Sequence, residues 1–235
     1  MPVASTTPTP VGRTLITGGA SGLGDAIAHA VDDAGLTPVV FDITPPANGF
    51  GAQTVDVSDT RAAEAAVDAV ASEHGGLRGV VTAAGIDACG RLDDVDGAAW
   101  ERVVAVNLLG TAAVARAALP HLERSRGRIV TVASTLGLKA VSDATAYCAS
   151  KFGVVGFTRA LAAETAGRVG VTLLIPGGMS TRFFDGRPDQ YKPGPDARLA
   201  DPADIAQAVV FALGRPAGVE LREMVMAADT EPSWP

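Results

Sequence analysis

The sequence predicts a single α/β domain, a doubly wound, central parallel sheet of about seven strands with helices on both faces. Three observations predict it. Short apolar runs alternate with longer amphipathic stretches along nearly the whole chain, a rhythm that implies right-handed crossovers and a sheet covered on both sides. Apolar residues make up 47% and charged ones 19% of 235 residues, enough to bury a substantial core. Gly, Ala and Val are abundant while aromatics reach only 5%, which suits tight strand-to-helix turns and buried parallel strands.

Taken in order, the first strand is expected over 13–17 (Arg-Thr-Leu-Ile-Thr), stopped by Gly18 and Gly19, and a helical pattern follows over 23–34. Strand 38–42 (Pro-Val-Val-Phe-Asp) and strand 54–57 (Thr-Val-Asp-Val) precede a helix over 60–74. Strand 79–83 (Gly-Val-Val-Thr-Ala) leads to a long helix over 98–125, then strand 128–132 (Arg-Ile-Val-Thr-Val) to a helix over 144–166. Strand 171–175, a helix over 202–213 and strand 224–227 complete the pattern. The segment 182–200 is rich in Pro, Gly and charge and reads as a loop or substrate lid. With no internal repeat and no linker, residues 11–235 read as one domain. The Pro/Thr-rich residues 1–10 have neither the basic nor the apolar region of a signal peptide and read as a flexible tail.

The formal net charge of −7 argues against non-specific binding to nucleic acid or to an anionic membrane. No apolar run approaches the roughly 18 residues of a membrane helix, so a cytoplasmic location is expected. Cys89 and Cys148 are far apart and lack metal-like spacing, which favours two free thiols over a disulfide. His29, His74 and His121 have no ligand-spaced neighbours, and no metal is expected.

In a doubly wound sheet, ligands bind beyond the carboxyl ends of the strands. The unusual residues fall there. Gly18, Ser21, Gly22, Leu23 and Gly24 form a glycine-rich turn from strand into helix. Such glycines permit positive φ and close approach to a pyrophosphate, which also meets the positive helix end, although packing alone can explain a glycine pair. Asp42 closes the second strand eighteen residues after Gly24. A carboxylate there accepts from adenosine ribose hydroxyls and repels a 2′-phosphate, so NAD is expected over NADP. Alternatively, Asp42 is a solvated strand end.

Tyr147 and Lys151 stand four apart in a helical pattern and share a face. A neighbouring ammonium favours the phenolate. Bringing a phenol from its reference pKa to neutrality needs about 3 units, about 4 kcal/mol, within the means of one or two close cations. The other tyrosine, Tyr191, lies in the expected lid. Ser134, thirteen residues before Tyr147, can hydrogen-bond a reacting oxygen or cap a turn. Asn107 lies inside an apolar helix, where its amide needs partners because an unsatisfied one costs about 1–3 kcal/mol. A local helix-bending bond would also explain it.

Thr17-Gly18-x-x-x-Gly22-x-Gly24, Asp56-Val57, Ala84-Gly85, Asn107, Ser134, Tyr147-x-x-x-Lys151 and Pro176-Gly177-x-x-x-Thr181 occur in the order of the classical short-chain dehydrogenase/reductase (SDR) family. The chain resembles that family over roughly 13–213. The resemblance implies a Rossmann-like fold and an Asn107-Ser134-Tyr147-Lys151 tetrad. In it Tyr147 is the general acid/base, Ser134 orients the substrate oxygen, Lys151 binds the nicotinamide ribose, and Asn107 holds a water linking Lys151 to solvent. It also implies that Asp56 and Val57 frame the adenine, that Ala84, Gly85, Pro176 and Gly177 line the cofactor, and that Thr181 with the backbone near Met179 holds the carboxamide. A homotetramer or dimer through the Asn107 and Tyr147 helices is implied as well.

Two departures stand out. Thr82-Ala83-Ala84-Gly85 replaces the family's Asn-Asn-Ala-Gly, removing a strand-tying side chain at Ala83. The stretch 219–235 lacks the common Val-Asp-Gly-Gly ending.

Ile86, Leu136, Leu138, Val141, Gly178, Phe183 and Phe184 are candidate pocket walls, mostly apolar. Arg182, Arg187, Lys192 and Arg198 either meet an acidic substrate group or form a solvated lid face balanced by Asp185, Asp189 and Asp196. The expected activity is NAD-dependent hydride transfer between a nicotinamide and a secondary alcohol or ketone, with acyl-thioester reduction or hydroxyacyl oxidation included. A non-catalytic nicotinamide-binding sensor or scaffold is the alternative from another class, and an extended sugar-nucleotide epimerase is a third reading.

Overall fold

A strand of β-branched and large aliphatic residues that is apolar on both sides must be covered on both sides, and the computed structural model shows how. It describes residues 12–47 and 49–234, so the expected tail at 1–10 lies outside them. In chain order come β1 (Arg13–Thr17), α1 (Gly22–Asp33), β2 (Thr37–Asp42), β3 (Gly51–Thr54), α2 (Thr60–Glu73) and β4 (Leu77–Thr82). Then follow α3 (Gly97–Val104), α4 (Thr111–Ser125), β5 (Arg128–Val132), α5 (Thr145–Glu164), β6 (Gly170–Pro176), α6 (Pro202–Leu213) and β7 (Glu223–Met226). The strands form one sheet in the order β3-β2-β1-β4-β5-β6-β7, parallel at every pairing. The order reverses between β1 and β4, and a crevice opens there at the carboxyl ends. This is a Rossmann-like doubly wound fold.

Successive side chains of a strand point to opposite faces, and β1 divides the core accordingly. Leu15 joins Phe41, Val80 and Ile129 under Val67 and Val70 of α2, Val114 and Leu122 of α4, and Leu161 of α5. Its neighbour Ile16 joins Val40, Val81, Val130 and Leu174 under Ile27 and Val31 of α1 and Ile205 and Val209 of α6. Asp59, Asp96 and Asp201 each cap the helix that follows by accepting from a first-turn amide.

Three expectations need correction. The third strand runs over Gly51–Thr54, not 54–57. Val55 keeps one backbone bond to Asp42, but the Asp56 carboxylate then accepts from the Ser58 amide and hydroxyl and turns the chain out of the sheet. Val55 and Val57 leave β3 to be buried in the core beneath the helices. The long helix expected over 98–125 is interrupted by a π-turn at Ala105–Gly110, with Asn107 inside it. Gly110 faces Val57 so closely that a Cβ would lie 2.9 Å from its carbonyl oxygen. Finally, the helical stretch Gly97–Ser125, π-turn included, is by length and composition apolar enough to cross a membrane, contrary to expectation. Half of its most apolar stretch is buried inside the fold, so that apolarity serves the core.

Two glycines test this packing. A Cβ at Gly24 would sit 2.1 Å from the Gly18 carbonyl oxygen, whereas one at Gly156 on α5 meets nothing within 4 Å. Gly24→Ala should lose about 2 kcal/mol or more in urea unfolding, and Gly156→Ala should gain up to about 1 kcal/mol. Equal stability for the two variants would contradict the packing described.

Candidate active site

The crevice at the carboxyl ends opens into a cleft of about 1460 Å³. The glycine-rich turn forms one part of it. Gly18 has φ +72°, and a Cβ there would lie 2.7 Å from Ala84 Cα, so the turn closes against the end of β4. The Gly18 amide donates to the Phe41 carbonyl at 2.7 Å, and the Ala84 amide donates to Thr17 Oγ1 at 3.1 Å. Gly22 has φ +56° and stands across from Thr181, whose side chain would lie 3.5 Å from a Cβ. Ser21 is the N-cap of α1, yet its side chain makes no capping bond. The first-turn amides of α1 therefore have no Ser21 acceptor at the edge of the cleft, where an anion is favoured.

Asp42, Asp56, Val57, Ala84, Gly85, Tyr147, Lys151, Pro176, Gly177, Met179 and Thr181 line the cleft with Gly18, Ser21, Gly22, Leu23 and Gly24. The Asp42 carboxylate accepts from the Ala20 amide at 3.0 Å and from the Thr44 amide at 3.1 Å. It thus ties the end of β2 to the glycine turn. Asp56 accepts from Arg102 Nη2 at 2.7 Å, and Arg102 also reaches Ser58 Oγ. Burial would raise the Asp56 carboxyl, but the bonds from Arg102 and Ser58 outweigh it and hold it below its usual value. At the end of β4, Thr82 Oγ1 is buried without a hydrogen-bond partner. The strand-tying polar side chain missing at Ala83 is not replaced at Thr82; the Thr17–Ala84 bond joins the two strands instead.

The α5 helix brings Tyr147 and Lys151 onto one face. Lys151 Nζ lies 5.6 Å from the Tyr147 ring centroid. The ammonium is 4% exposed and donates to the Val132 carbonyl at the end of β5 at 2.9 Å. Burial lowers the Lys151 pKa to about 8. Burial also raises Tyr147 to about 12, against a hydrogen bond from Ser134 that lowers it. The expectation that the ammonium brings the phenol towards neutrality is therefore not met by the protein's own groups. Desolvation disfavours both charged forms and is the largest cause of each shift.

Ser134 Oγ accepts from the Leu136 amide at 3.1 Å, capping a 3₁₀ turn over Thr135–Gly137, and its hydroxyl also reaches the Tyr147 phenol. Asn107 does not line the cleft. Its side chain is 1% exposed and fully engaged, Oδ1 accepting from the Ile86 amide and Nδ2 donating to the Ile86 carbonyl, both at 2.9 Å. Nδ2 also donates to Ser150 Oγ at 3.0 Å. Asn107 thereby locks the π-turn to the segment after β4 and to α5. A Cβ at Gly85 would lie 3.5 Å from Asn107 Oδ1 and 3.6 Å from Lys151 Nζ, so only a bare backbone separates the two groups.

On the substrate side, Ile86, Leu136, Gly178, Phe183 and Phe184 line the cleft, but Leu138 and Val141 do not. Leu138 packs against Ala133 and Val154 in a small core cluster, and Val141 faces solvent. The Phe183 ring stands 5.7 Å from that of Tyr147. Arg187 turns inward, its guanidinium within 5 Å of both Phe183 and Phe184 and 2.7 Å from Asp87 Oδ2. Lys192 pairs with Asp189 within the lid, as the solvated-face reading expects. Arg102, Asp87, Glu231 and Ser233 also line the cleft and were missed. Each has a partner dozens of residues away in sequence, Asp56, Arg187, Gly178 and Thr135 respectively, which no local spacing reveals.

The buried ammonium has a thermodynamic signature. The folded Lys151 pKa of about 8 lies below the usual 10.5. Between those values the unfolded chain binds more protons, and stability rises with pH. Below about 8 both states are protonated and the burial cost is fully present. Urea unfolding at pH 7.5, 9 and 10 should show this rise in the native chain and lose it in Lys151→Met. An unchanged rise in the variant would assign it to other groups.

A sequence profile described as short chain dehydrogenase matches residues 13–192. The chain is 36% identical over 226 residues to 2-(S)-hydroxypropyl-CoM dehydrogenase 3 of Xanthobacter autotrophicus, covering 84% of this chain and 88% of that one. It is 37% identical over 217 residues to D-threitol dehydrogenase of Mycolicibacterium smegmatis, covering 84% of each. The solved structure of aldohexose dehydrogenase from Thermoplasma acidophilum superposes with a TM-score of 0.83 at 24% identity over 92% of both chains, a likeness of fold. With its glycine-rich turn, its Tyr147–Lys151 pair and its parallel sheet in these places, the chain belongs to the short-chain dehydrogenase family of nicotinamide-dependent oxidoreductases.

Proposed function

We propose that this chain moves a hydride between NAD and a secondary alcohol or its ketone, with Tyr147 as general acid/base. The observation that carries the reading is the buried Lys151 ammonium 5.6 Å from the Tyr147 ring, on the wall of the cleft that the glycine turn opens. The names of the two relatives, dehydrogenases of hydroxypropyl-CoM and of threitol, support a hydroxyl-bearing carbon as the reacting centre.

The residues present fit a dinucleotide. The Ser21–Gly24 turn and the amides that open α1 would take the pyrophosphate. Asp42 would accept from the adenosine ribose, and its charge would reject a 2′-phosphate. Asp56 and Val57 would frame the adenine. Lys151 would hold the nicotinamide ribose, and Met179 with Thr181 the carboxamide side. When bound, the nicotinamide supplies or accepts the hydride.

Each side chain then has a task. Ser134 Oγ and the Tyr147 hydroxyl hold the substrate oxygen between them, and the wall of Ile86, Phe183 and Phe184 excludes water from the reacting carbon. In the reductive direction Tyr147, protonated at neutral pH, donates its proton to the oxygen as the carbinol forms. In the oxidative direction Tyr147 must take that proton, which the Lys151 ammonium and a positive ring favour. Asn107 holds the π-turn in place and supports a proton path from Lys151 past Gly85.

A sensor or scaffold is the less favoured reading, because all four tetrad positions are filled. A cytoplasmic protein is proposed, with 11–235 as one domain and 182–200 as its substrate lid. Leu109 and Phe152, half exposed on the π-turn and α5, support a homo-oligomer through these helices, which light scattering would resolve.

Two variants test the chemistry, with absorbance at 340 nm followed over 2-propanol, 2-butanol, cyclohexanol, threitol, 3-hydroxybutyrate and the matching ketones. Tyr147→Phe should lower turnover at least about a hundredfold while NADH binding, read by fluorescence, stays close to native. Retained turnover would defeat the acid/base role. Asp42→Asn should raise the ratio of NADPH to NADH efficiency about tenfold by removing a charge that faces the 2′-phosphate. Native protein already faster with NADPH would overturn the NAD assignment.

A further inference from the structure

We propose that Thr230–Ser233, the segment after β7, is a wall of the substrate cleft, and that Glu231 is a positioning residue that sets the Gly177–Gly178 turn against the loop carrying Ser134. This rests on the oxidoreductase reading above and extends it to a part of the chain where the family's usual ending is absent.

The segment lines the cleft alongside Tyr147 and Ser134. Glu231 Oε2 accepts from the Gly178 amide at 2.7 Å. Its other oxygen accepts from the Ser233 amide at 3.1 Å and from Ser233 Oγ at 2.6 Å. Because the Ser233 proton is given to Glu231, the 2.6 Å contact between Ser233 Oγ and Thr135 Oγ1 has Thr135 as donor. Lys139 Nζ adds a bond to the Pro232 carbonyl at 3.1 Å. One carboxylate thus joins the turn after β6, from which Met179 and Thr181 follow, to the residue next to Ser134.

The backbone opposite is shaped to receive it. A Cβ at Gly177 would lie 2.4 Å from Glu231 Oε2 and 2.7 Å from Ala227 Cβ. A Cβ at Gly178 would lie 2.9 Å from Leu199. Any side chain at Gly177 would expel the carboxylate. The Gly177 amide is itself bonded to the Met226 carbonyl at 2.8 Å, so the turn is gripped by β7 on one side and by Glu231 on the other. Burial would raise the Glu231 carboxyl, yet the bonds from Ser233 and Gly178 prevail and hold it below its usual value. It is a charged acceptor, and bonds of that kind are roughly twice as strong as neutral ones.

Glu231→Gln is the test, since the amide keeps the shape but turns one acceptor into a donor that faces other donors. Its efficiency on the panel alcohol turned over fastest by the native chain should fall about tenfold, the loss of one charge-assisted bond, with the melting temperature within about 2 °C. Amide hydrogen exchange should quicken in 177–181 and 134–139 and not elsewhere. Ser233→Ala, which removes the hydroxyl between Glu231 and Thr135 and leaves the Gly178 bond to Glu231, should reproduce the effect in 134–139 and carries the test if Glu231→Gln does not fold. Efficiency within twofold of native, or exchange unchanged in both loops, overturns the proposal. A native chain inert on the whole panel would defeat the oxidoreductase reading alone, and the exchange rates would then decide the role of Glu231.

Discussion

Everything at the site depends on an ammonium taken out of water. Lys151 is almost wholly buried, and among the described residues its hydrogen-bond acceptor is the Val132 carbonyl at the end of β5. Moving a charge into such a place is costly unless it is paired and hydrogen-bonded. The fold supplies a carbonyl because parallel strands end with unpaired acceptors at their carboxyl edge. It supplies the lysine because α5 runs beside that edge. Asn107, through Ile86 and Ser150, ties α5 to the segment that follows β4. The active site is thus built from the leftover hydrogen-bonding capacity of a sheet edge and from one helix with the right four-residue spacing.

Desolvation also explains the state of the phenol. Tyr147 and Lys151 lie close enough to interact, yet burial pushes each towards its neutral form. On the proposed mechanism, such an arrangement suits proton donation at neutral pH and leaves proton removal dependent on a further positive charge in the cleft. The bias of both groups towards their neutral forms follows from dielectric surroundings rather than from residue identity.

The substrate end of the cleft is assembled differently. Its walls come from loops that are distant in sequence, and they are tied by polar contacts: Arg187 to Asp87, Glu231 to Gly178, Ser233 to Thr135. The nucleotide end uses backbone, glycine and short turns, which vary little in what they can bind.

The sequence alone determined the alternation of strands and helices, the glycine turn, and the Tyr147–Lys151 pair. These are local signals, since a period of two or of 3.6 residues and a run of glycines act within one turn or one strand. Strands 13–17 and 128–132 and helix 202–213 carry that signal to their ends. Tertiary structure decided the rest. Residues 54–57 alternate like a strand, but the Ser58–Asp56 turn and the pull of the core on Val55 and Val57 ended β3 three residues earlier. An apolar helical period cannot register a π-turn, which arises because Gly110 must pass Val57 and Asn107 must reach Ile86. Leu138 and Val141 looked like pocket walls by hydrophobicity alone, which does not say which way a side chain faces. Glu231 and Asp87 gave no sign in sequence because their meaning lies in partners, Gly178 and Arg187, that only folding brings near. The physical reason is the same each time: periodicity is a property of the chain, while burial and pairing are properties of the packed molecule.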